Sequence, residues 1–492
     1  MRVRKLITLV LVIALVSCAW LSRPTAVLAK TVDGVNLIRE VLENIEAYHV
    51  DGPDHELLVQ GAIWGIIDTL EDPYTSYLTE EELASLLGDI EGQFGGIGIE
   101  LEGRVGEARV RNVLPGSPAA EAGLAPGDVI AAVDGEDVAG LPPEAVALRI
   151  RGLEGTTVRL TILRHGQTFD VVLTRRSIEL PSIESELWPG GVAYVHVRTF
   201  GSKTASQLKE VLLKYKASGL KGLIIDLRGN QGGLLEPATE VAGYFLGEGR
   251  TVAWLKGRDT EEPCRATGSA LVKGVPVAVL IDGLTASAAE ILAGALRDYR
   301  VAFLLGEQTY GKGSVQELIP LNNGGFLRLT TARYSTPLRH PVDGEGLVPD
   351  MKIETPALVP LVAEALLRGG AVRVKLTVGS VEAEVNGRRV TLASPPLVIE
   401  GVTYVPLRFI AEAFGYQVDW DGDAGAVLAK GGRRIILPVD GKTLVIPDEH
   451  NPAALITLHA IRDLGASVRV HGVDIELDGS VGNSINYLQA AG

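Results

Sequence analysis

Two cysteines, Cys18 and Cys264, are all that the 492 residues contain, so the chain can build neither a disulfide framework nor a cysteine zinc site. Histidine is sparse, at 8 residues, and His450, His459 and His471 lack compact ligand spacing; no metal and no cofactor is expected. No Lys/Arg-rich block occurs beyond the extreme N-terminus and the formal charge is −15, which argues against nucleic acid as a partner. The acidity reads mainly as solubility. Neither H-E-x-x-H nor G-x-S-x-G is found, which removes sequence support for a zinc protease or an α/β-hydrolase. What is there, 46% hydrophobic and 22% charged residues over this length, suffices for large cores, and two to four domains are expected.

The start, MRVRKLITLVLVIALVSCAWLSRPTAVLAK, sets Arg2, Arg4 and Lys5 before an apolar core and small residues ending at Ala29, the layout of an export signal over 1–29. Three variants fit: a lipobox at Leu15-Val16-Ser17-Cys18 with Cys18 lipidated, cleavage after Val27-Leu28-Ala29, or an uncleaved anchor, although the apolar run is short against the roughly 20 residues that span a bilayer. Each predicts an extracytoplasmic protein of the bacterial cell envelope, anchored or secreted. Beyond it, Leu37, Ile38, Val41, Leu42 and Ile45, then Leu57, Leu58, Ile63, Ile66 and Leu70, recur at helical spacing. Thr79-Glu80-Glu81-Glu82 has capping-box spacing for a third helix. Residues 30–90 are therefore predicted as a helical unit whose apolar faces need a partner, either the chain itself or a second subunit in a homodimer.

From 91 the pattern turns to strands: FGGIGIEL (94–101), ARVRNVL (108–114), the turn GSPAAEAGLAPGD, a helix PPEAVALRIRG (142–152) and two more strands to about 174. This order resembles a PDZ domain over 91–176. Its chemistry follows from the residues: free amides of Gly95, Gly96, Ile97 and Gly98 hold a terminal carboxylate, the strand edge pairs with an extended peptide, and Ile97, Ile99, Val146 and Ile150 receive its last side chain.

Residues 177–356 alternate strands such as GVAYVHVRTF (191–200), GLIIDLRG (222–229) and VPVAVLI (275–281) with amphipathic helices, which predicts a sheet covered by helices. In DGLTASAAEILAGALRDY (282–299), Ser287 falls between a buried strand and a helix, where an activated nucleophile belongs. Serine needs a base, and the neighbouring sequence offers no histidine; it offers Lys312. DLRGNQGG (226–233), TASAAEI (285–291), TYGKGSVQ (309–316) and GEGLVPD (344–350) together resemble the carboxy-terminal processing, or tail-specific, serine proteases, which carry an inserted PDZ domain. The separations, 25 residues from Ser287 to Lys312 and 4 from Lys312 to Gln316, are as that family has them. Two departures stand out: Thr285 and Ala289 flank Ser287 where members often read Ser-Ala-Ser-Ala-Ser, and Gln231 replaces the usual proline of the glycine loop, which predicts a more mobile loop.

To act as base Lys312 must be neutral, against an ordinary pKa of about 10.4; burial favours the neutral form, and Gly311 and Gly313 add no opposing anion. Gln316 orients the amine without charge, where a carboxylate would keep the proton on lysine. Amides of Ala288 and of Gly232 or Gly233 are the candidate oxyanion donors. Asp226 and Arg228 read as a loop-fixing pair and Glu290 as a helix cap. Gly306 to Lys312 also fits G-x-x-x-x-G-K, but Gly313 replaces the magnesium-binding Ser or Thr and a strand follows.

Over 371–480, NGRRVTLASPPLVIEGVTYVPLRFIAEAFG resembles a copper amine oxidase N-terminal-like module, and LITLHAIRDLGASV (455–468) echoes VPLRFIAEAFGYQV (405–418) at an offset of 50, an internal repeat. The predicted architecture is a multidomain α/β protease core, with a crotonase/ClpP-like spiral implied by the resemblance, an inserted PDZ domain, N-terminal helices and a mainly β accessory domain that binds or tethers an envelope component. The predicted function is an exported endopeptidase acting on the C-terminal tails of proteins. The competing reading is a non-catalytic envelope scaffold that binds such tails.

Overall fold

A computed structural model describes residues 28–103, 106–422, 425–445 and 454–481; the expected export segment through residue 27, with Cys18, and His450 lie outside them. Among the described residues no helix is long and apolar enough to cross a membrane. The chain divides into a unit ending at Tyr77 and a unit beginning at Leu78.

The first unit holds the helices Leu28–Tyr48 and His55–Asp68. Asp54 starts the second by accepting from the amide of Glu56 at 2.7 Å, satisfying a donor that the first helical turn leaves free. Its side chains stay outside: Leu57, Trp64 and Ile66 are exposed, as are Val35, Leu37 and Val41 on the first helix.

In the second unit the helix Glu80–Ile90 opens with the capping box read from sequence: Thr79 N donates to Glu82 Oε2 at 2.8 Å and Glu82 N to Thr79 Oγ1 at 3.1 Å. The following run, expected as one strand over 94–101, is two. Gln93–Gly96 pairs with Arg176–Glu179, and Ile99–Glu102 pairs with Arg109–Val113 in another sheet. The break falls at Gly98, whose φ is +78° and whose added Cβ would sit 2.3 Å from Ser117 Cβ. Only glycine takes that bend at that distance. Ile99–Glu102 is an edge strand, and the helix Pro143–Ile150 lies against it. Ile97, Val146 and Ile150 are buried together in the domain's own core.

The protease core is a six-stranded sheet in the order Ile183–Trp188, Val192–Val197, Gly222–Asp226, Val277–Ile281, Ala302–Gly306, Met351–Lys352, with the first pair antiparallel and the rest parallel. Strands buried on both faces read as unbroken apolar runs, and their alternate residues separate cleanly. Val195, Ile225, Val279 and Leu304 pack with the helices Thr204–Ala217, Leu235–Leu246 and Ala288–Asp298. Ile224, Leu280 and Leu305 face the helix Val359–Leu367 and, through it, the C-terminal module. That module is therefore fused to the core by one continuous apolar cluster, not tethered. The two echoing segments both run strand, helix, strand: Val402–Pro406, Leu407–Ala413, Gln417–Asp421 and Leu455–Thr457, Leu458–Asp463, Ser467–His471. The first strands of the two copies pair antiparallel.

The Gly-Asp turn of the inserted domain is locked by charge. The buried carboxylate of Asp128 accepts from Ala125 N at 2.9 Å and from Arg164 Nε and Nη2 at 2.6 and 2.7 Å. The Arg164 fork, against the opposing effect of burial, holds the Asp128 carboxyl below its ordinary 3.8. A depressed acid contributes stability above its unfolded pKa and loses it as pH falls through the folded value. Asp128→Asn is expected to destabilise this domain by about 1–3 kcal/mol near pH 7 and by less near pH 3, read as hydrogen exchange of residues 119–135 in the full chain. Equal effects at both pH values contradict the assignment.

Candidate active site

Ser287 ends the turn between the strand Val277–Ile281 and the helix Ala288–Asp298 with φ 55° and ψ −119°. A non-glycine residue there carries roughly 1–3 kcal/mol of backbone strain, so the surroundings must hold it. Ala286 N donates to Asn230 O at 2.9 Å, and the buried Thr285 hydroxyl lies 2.9 Å from Leu227 O. Thr285 thus fastens the nucleophile turn to the glycine loop. That loop is held in turn: Gly229 N donates to Asp282 Oδ1 at 3.0 Å and Asn230 Nδ2 to Val197 O at 2.8 Å. Gln231 is exposed, as is Gly229.

Glu290, fully buried one turn into the helix, does more than cap it. Its Oε2 accepts from Ser287 N at 2.8 Å and from Lys312 N at 3.0 Å; its Oε1 accepts from Gly311 N at 2.9 Å and from the Thr309 hydroxyl. Burial pushes this carboxyl up, while the Thr309, Gly311, Ser287 and Lys312 donors pull it back. Three of the four are amide hydrogens that cannot be turned round, so the group serves as a carboxylate. From the other side the Tyr334 hydroxyl lies 3.0 Å from Ser287 O and 2.8 Å from Lys312 O. One carboxylate and one phenol therefore clamp the serine turn and the lysine loop together. Neither had a distinctive sequence signal: Glu290 sat at a capping position, and Tyr334 is one residue of a ten-residue strand, Phe326–Ser335.

Lys312 is half-buried. Its flanking glycines are required for packing before electrostatics: a Cβ on Gly313 would lie 2.2 Å from Asp343 N, and one on Gly311, at φ +86°, 2.9 Å from Gly346 N. Gly311 meets the GEGLVPD loop and Gly313 the residue just before it, and Leu347 N donates to Thr309 Oγ1 at 2.6 Å. Gln316 Nε2 lies 2.9 Å from Ser314 Oγ and 3.2 Å from Thr330 Oγ1.

Ser287, Ala288, Lys312, Gln316, Gly232 and Gly233 all line one cleft of about 780 Å³. The two glycines are not equivalent there. Gly232, at φ +104°, is pressed so close that a Cβ would be 2.8 Å from Ser287 Cβ, and its amide donates to Asn230 Oδ1 at 2.8 Å. That hydrogen is committed, so Gly232 is corrected from oxyanion donor to close-packing residue. Gly233 is bracketed by Phe200, which donates to Gly232 O at 2.9 Å and accepts from Leu234 N at 2.8 Å. In a parallel bridge of that register the amide of the middle residue points the other way. Gly95, Gly96, Ile97, Gly98, Ile99, Val146 and Ile150 do not line the cleft, but the neighbouring Phe94 and Arg151 do.

Comparison with known proteins decides which serine chemistry this resembles. Residues 191–353 match the model of Peptidase family S41. The probable CtpA-like serine protease of Staphylococcus aureus strain COL is 35% identical over 349 residues, 70% of this chain and 70% of the relative. The chain belongs to peptidase family S41. A second relative, the probable CtpA-like serine protease of Staphylococcus saprophyticus, is 34% identical over 327 residues, 66% of each chain. Residues 89–163 match the PDZ domain, 362–429 the copper amine oxidase N-terminal domain and 20–82 the activating protease CtpB N-terminal domain. Among solved structures, the photosystem II D1 C-terminal processing protease is similar at 27% identity over 68% of this chain and 96% of that one, with a TM-score of 0.44. The S41 protease described here is a serine-type peptidase.

Glu290→Gln is expected to lower the peptidase rate by about 10²-fold, because displacing a catalytic loop by an ångström costs on that order, and to cost about 1–3 kcal/mol of stability, since an amide NH₂ would face committed donors. Peptide hydrolysis and thermal unfolding measure both; wild-type turnover in the variant would contradict the clamp.

Proposed function

We propose that this protein is an extracytoplasmic endopeptidase that captures the C-terminal tails of protein substrates and cleaves them with a Ser287–Lys312 dyad. The observation that carries the proposal is the clamp by Glu290 and Tyr334, which fixes a strained serine and the lysine loop at one cleft. Ser287 Oγ attacks the scissile carbonyl and its proton passes to neutral Lys312 Nζ. Gln316, anchored through its amide nitrogen by Ser314 and Thr330, accepts from the lysine amine with its oxygen. The amides of Ala288 and Gly233 receive the oxyanion, and each such donor is worth about 10²–10³ in rate. Lysine then protonates the leaving amine and activates the water that releases the acyl group.

The edge strand Ile99–Glu102 and the helix Pro143–Ile150 are the groove for the tail. Phe94 and Arg151, in the cleft, connect that groove to the chemistry. Export through the N-terminal segment, with or without lipidation of Cys18, accounts for the location, and the C-terminal module adds the contact to an envelope component. The exposed apolar side chains of the N-terminal helices pack against a second copy in a homodimer.

Two experiments test this reading. Purified wild type should cleave an unfolded protein ending in apolar residues, with activity rising toward alkaline pH as Lys312 loses its proton. Ser287→Ala and Lys312→Ala should each lose on the order of 10⁴-fold. Persistent cleavage by Ser287→Ala sinks the mechanism, and wild type inert at every pH favours a tail-binding scaffold. Sedimentation of the full chain should report a dimer that Leu57→Glu with Trp64→Glu converts to monomer; unchanged sedimentation counts against the dimer.

A further inference from the structure

The chain as a whole carries a formal charge of −15, yet its catalytic cleft has the opposite sign. Among the described residues, and leaving aside Lys312, which acts as a neutral base on the reading above, the charged side chains that line it are Arg151, Arg198 and Arg328, against Asp89 alone. Walls of protein focus such a local potential, and a cationic cleft on an anionic molecule concentrates anionic groups at that place only.

Arg198 is the member with an unmet requirement. It follows the strand Val192–Val197 and precedes by two residues Phe200, the residue that brackets Gly233. At about 3.3 Å per residue, its backbone lies roughly 7 Å from that bracket. Its Nη2 donates to Glu184 Oε1 at 2.6 Å, but its Nε, enclosed in this conformation, has no acceptor among the described residues. A guanidinium presents paired N–H groups in a planar fork suited to a carboxylate, and a buried donor left unpaired is uncommon enough to require an explanation. Arg151, held with its guanidinium 4.0 Å over the Phe94 ring, adds a second cation to the same cleft.

We propose that Arg198 anchors a carboxylate subsite within the cleft, so that the peptidase selects substrates carrying a carboxylate close to the scissile bond. The carboxylate is either an acidic side chain or the substrate's own C-terminal group. This inference rests on the endopeptidase reading above and adds a selection made by the cleft itself, apart from the PDZ groove.

The test uses the full-length enzyme and peptides differing only by Glu or Gln, placed in turn at each of the positions flanking the scissile bond, together with free-acid and amidated forms of one peptide. The readout is the Glu/Gln ratio, or the acid/amide ratio, of kcat/KM. Wild type is expected to favour the carboxylate about tenfold at one or two adjacent positions, the order expected for a charge-assisted bond, and to lose part of that preference as salt is raised. Which arm responds identifies the source of the carboxylate. Arg198→Gln should bring the ratio to near one. Glu184→Gln, which removes the existing ion pair but keeps the guanidinium, should leave the preference intact or strengthen it. A wild-type ratio near one in both arms overturns the subsite, as does a preference that survives Arg198→Gln. Loss of preference in Glu184→Gln equal to that in Arg198→Gln also overturns it, since the pair is then only structural. Failure of wild type to cleave any peptide strikes instead at the endopeptidase reading on which the subsite rests.

Discussion

A single buried carboxylate sets the terms for this active site. Glu290 gathers the amides of Ser287, Gly311 and Lys312 and the hydroxyl of Thr309, and beside it a backbone bond from Tyr310 N to Thr285 O at 3.0 Å joins the lysine loop to the serine turn. Burying an anion without partners is prohibitive, so the four donors cannot leave singly without exposing the rest to that cost. The arrangement is accordingly all or nothing. It also settles where the negative charge lies: on the backbone side of the lysine loop, directed at amides. A carboxylate directed at the lysine amine itself would favour the charged form and oppose a base role.

The sheet beneath explains why so much chain is needed to hold so small a site. Its two faces are both apolar, one covered by three helices including the nucleophile helix, the other by Val359–Leu367 and the C-terminal module. The module reaches the site through hydrogen bonds as well. Buried Glu412 accepts from Glu354 N and Thr355 N, each at 3.0 Å; the next residue, Pro356, accepts through its carbonyl from Arg228 Nη1 at 2.7 Å. Arg228 grips Asp226, which also receives the Tyr194 hydroxyl at 2.6 Å, just before the glycine loop begins. The loop-fixing pair is thus itself fixed from the far side of the sheet.

The sequence made some of this legible and hid the rest for identifiable reasons. Periodicity revealed the helices and the doubly buried strands, and the capping box at Thr79 and Glu82 was visible because its partners are three residues apart. The echo between 405–418 and 455–468 foretold the paired strand-helix-strand units. Residues far apart in sequence were another matter. Tyr334 contacts Ser287 across 47 positions, and nothing local marks a strand tyrosine as the back wall of a nucleophile turn. Glu290 looked like a cap because capping is all that its neighbours in sequence require of it. The choice between Gly232 and Gly233 depended on the Asn230 side chain, which takes one amide and leaves the other, a matter of rotamer and register. The split of the run at 94–101 turned on Gly98 meeting Ser117, a contact that no strand periodicity records.

The same glycine-rich segment explains how the inserted domain and the cleft are mechanically linked on the proposed reading. A Cβ on Gly95 would lie 2.0 Å from Gly152 O, and Gly152 N donates to Gly95 O at 3.1 Å. The strand bearing Phe94 and the end of the groove helix bearing Arg151 are therefore pinched together at a point with no slack. Ile97, Val146 and Ile150 are packed shut behind it. An entering apolar side chain has to part them, and the helix cannot shift away from the strand without disturbing Gly152 and, with it, Arg151 over Phe94. A close-packed contact has few intermediate positions. Tail binding can therefore alter the cleft only to the extent that the tail prefers the parted arrangement, and the size of that preference, set by the last side chain, becomes the quantity that converts tail identity into cleavage.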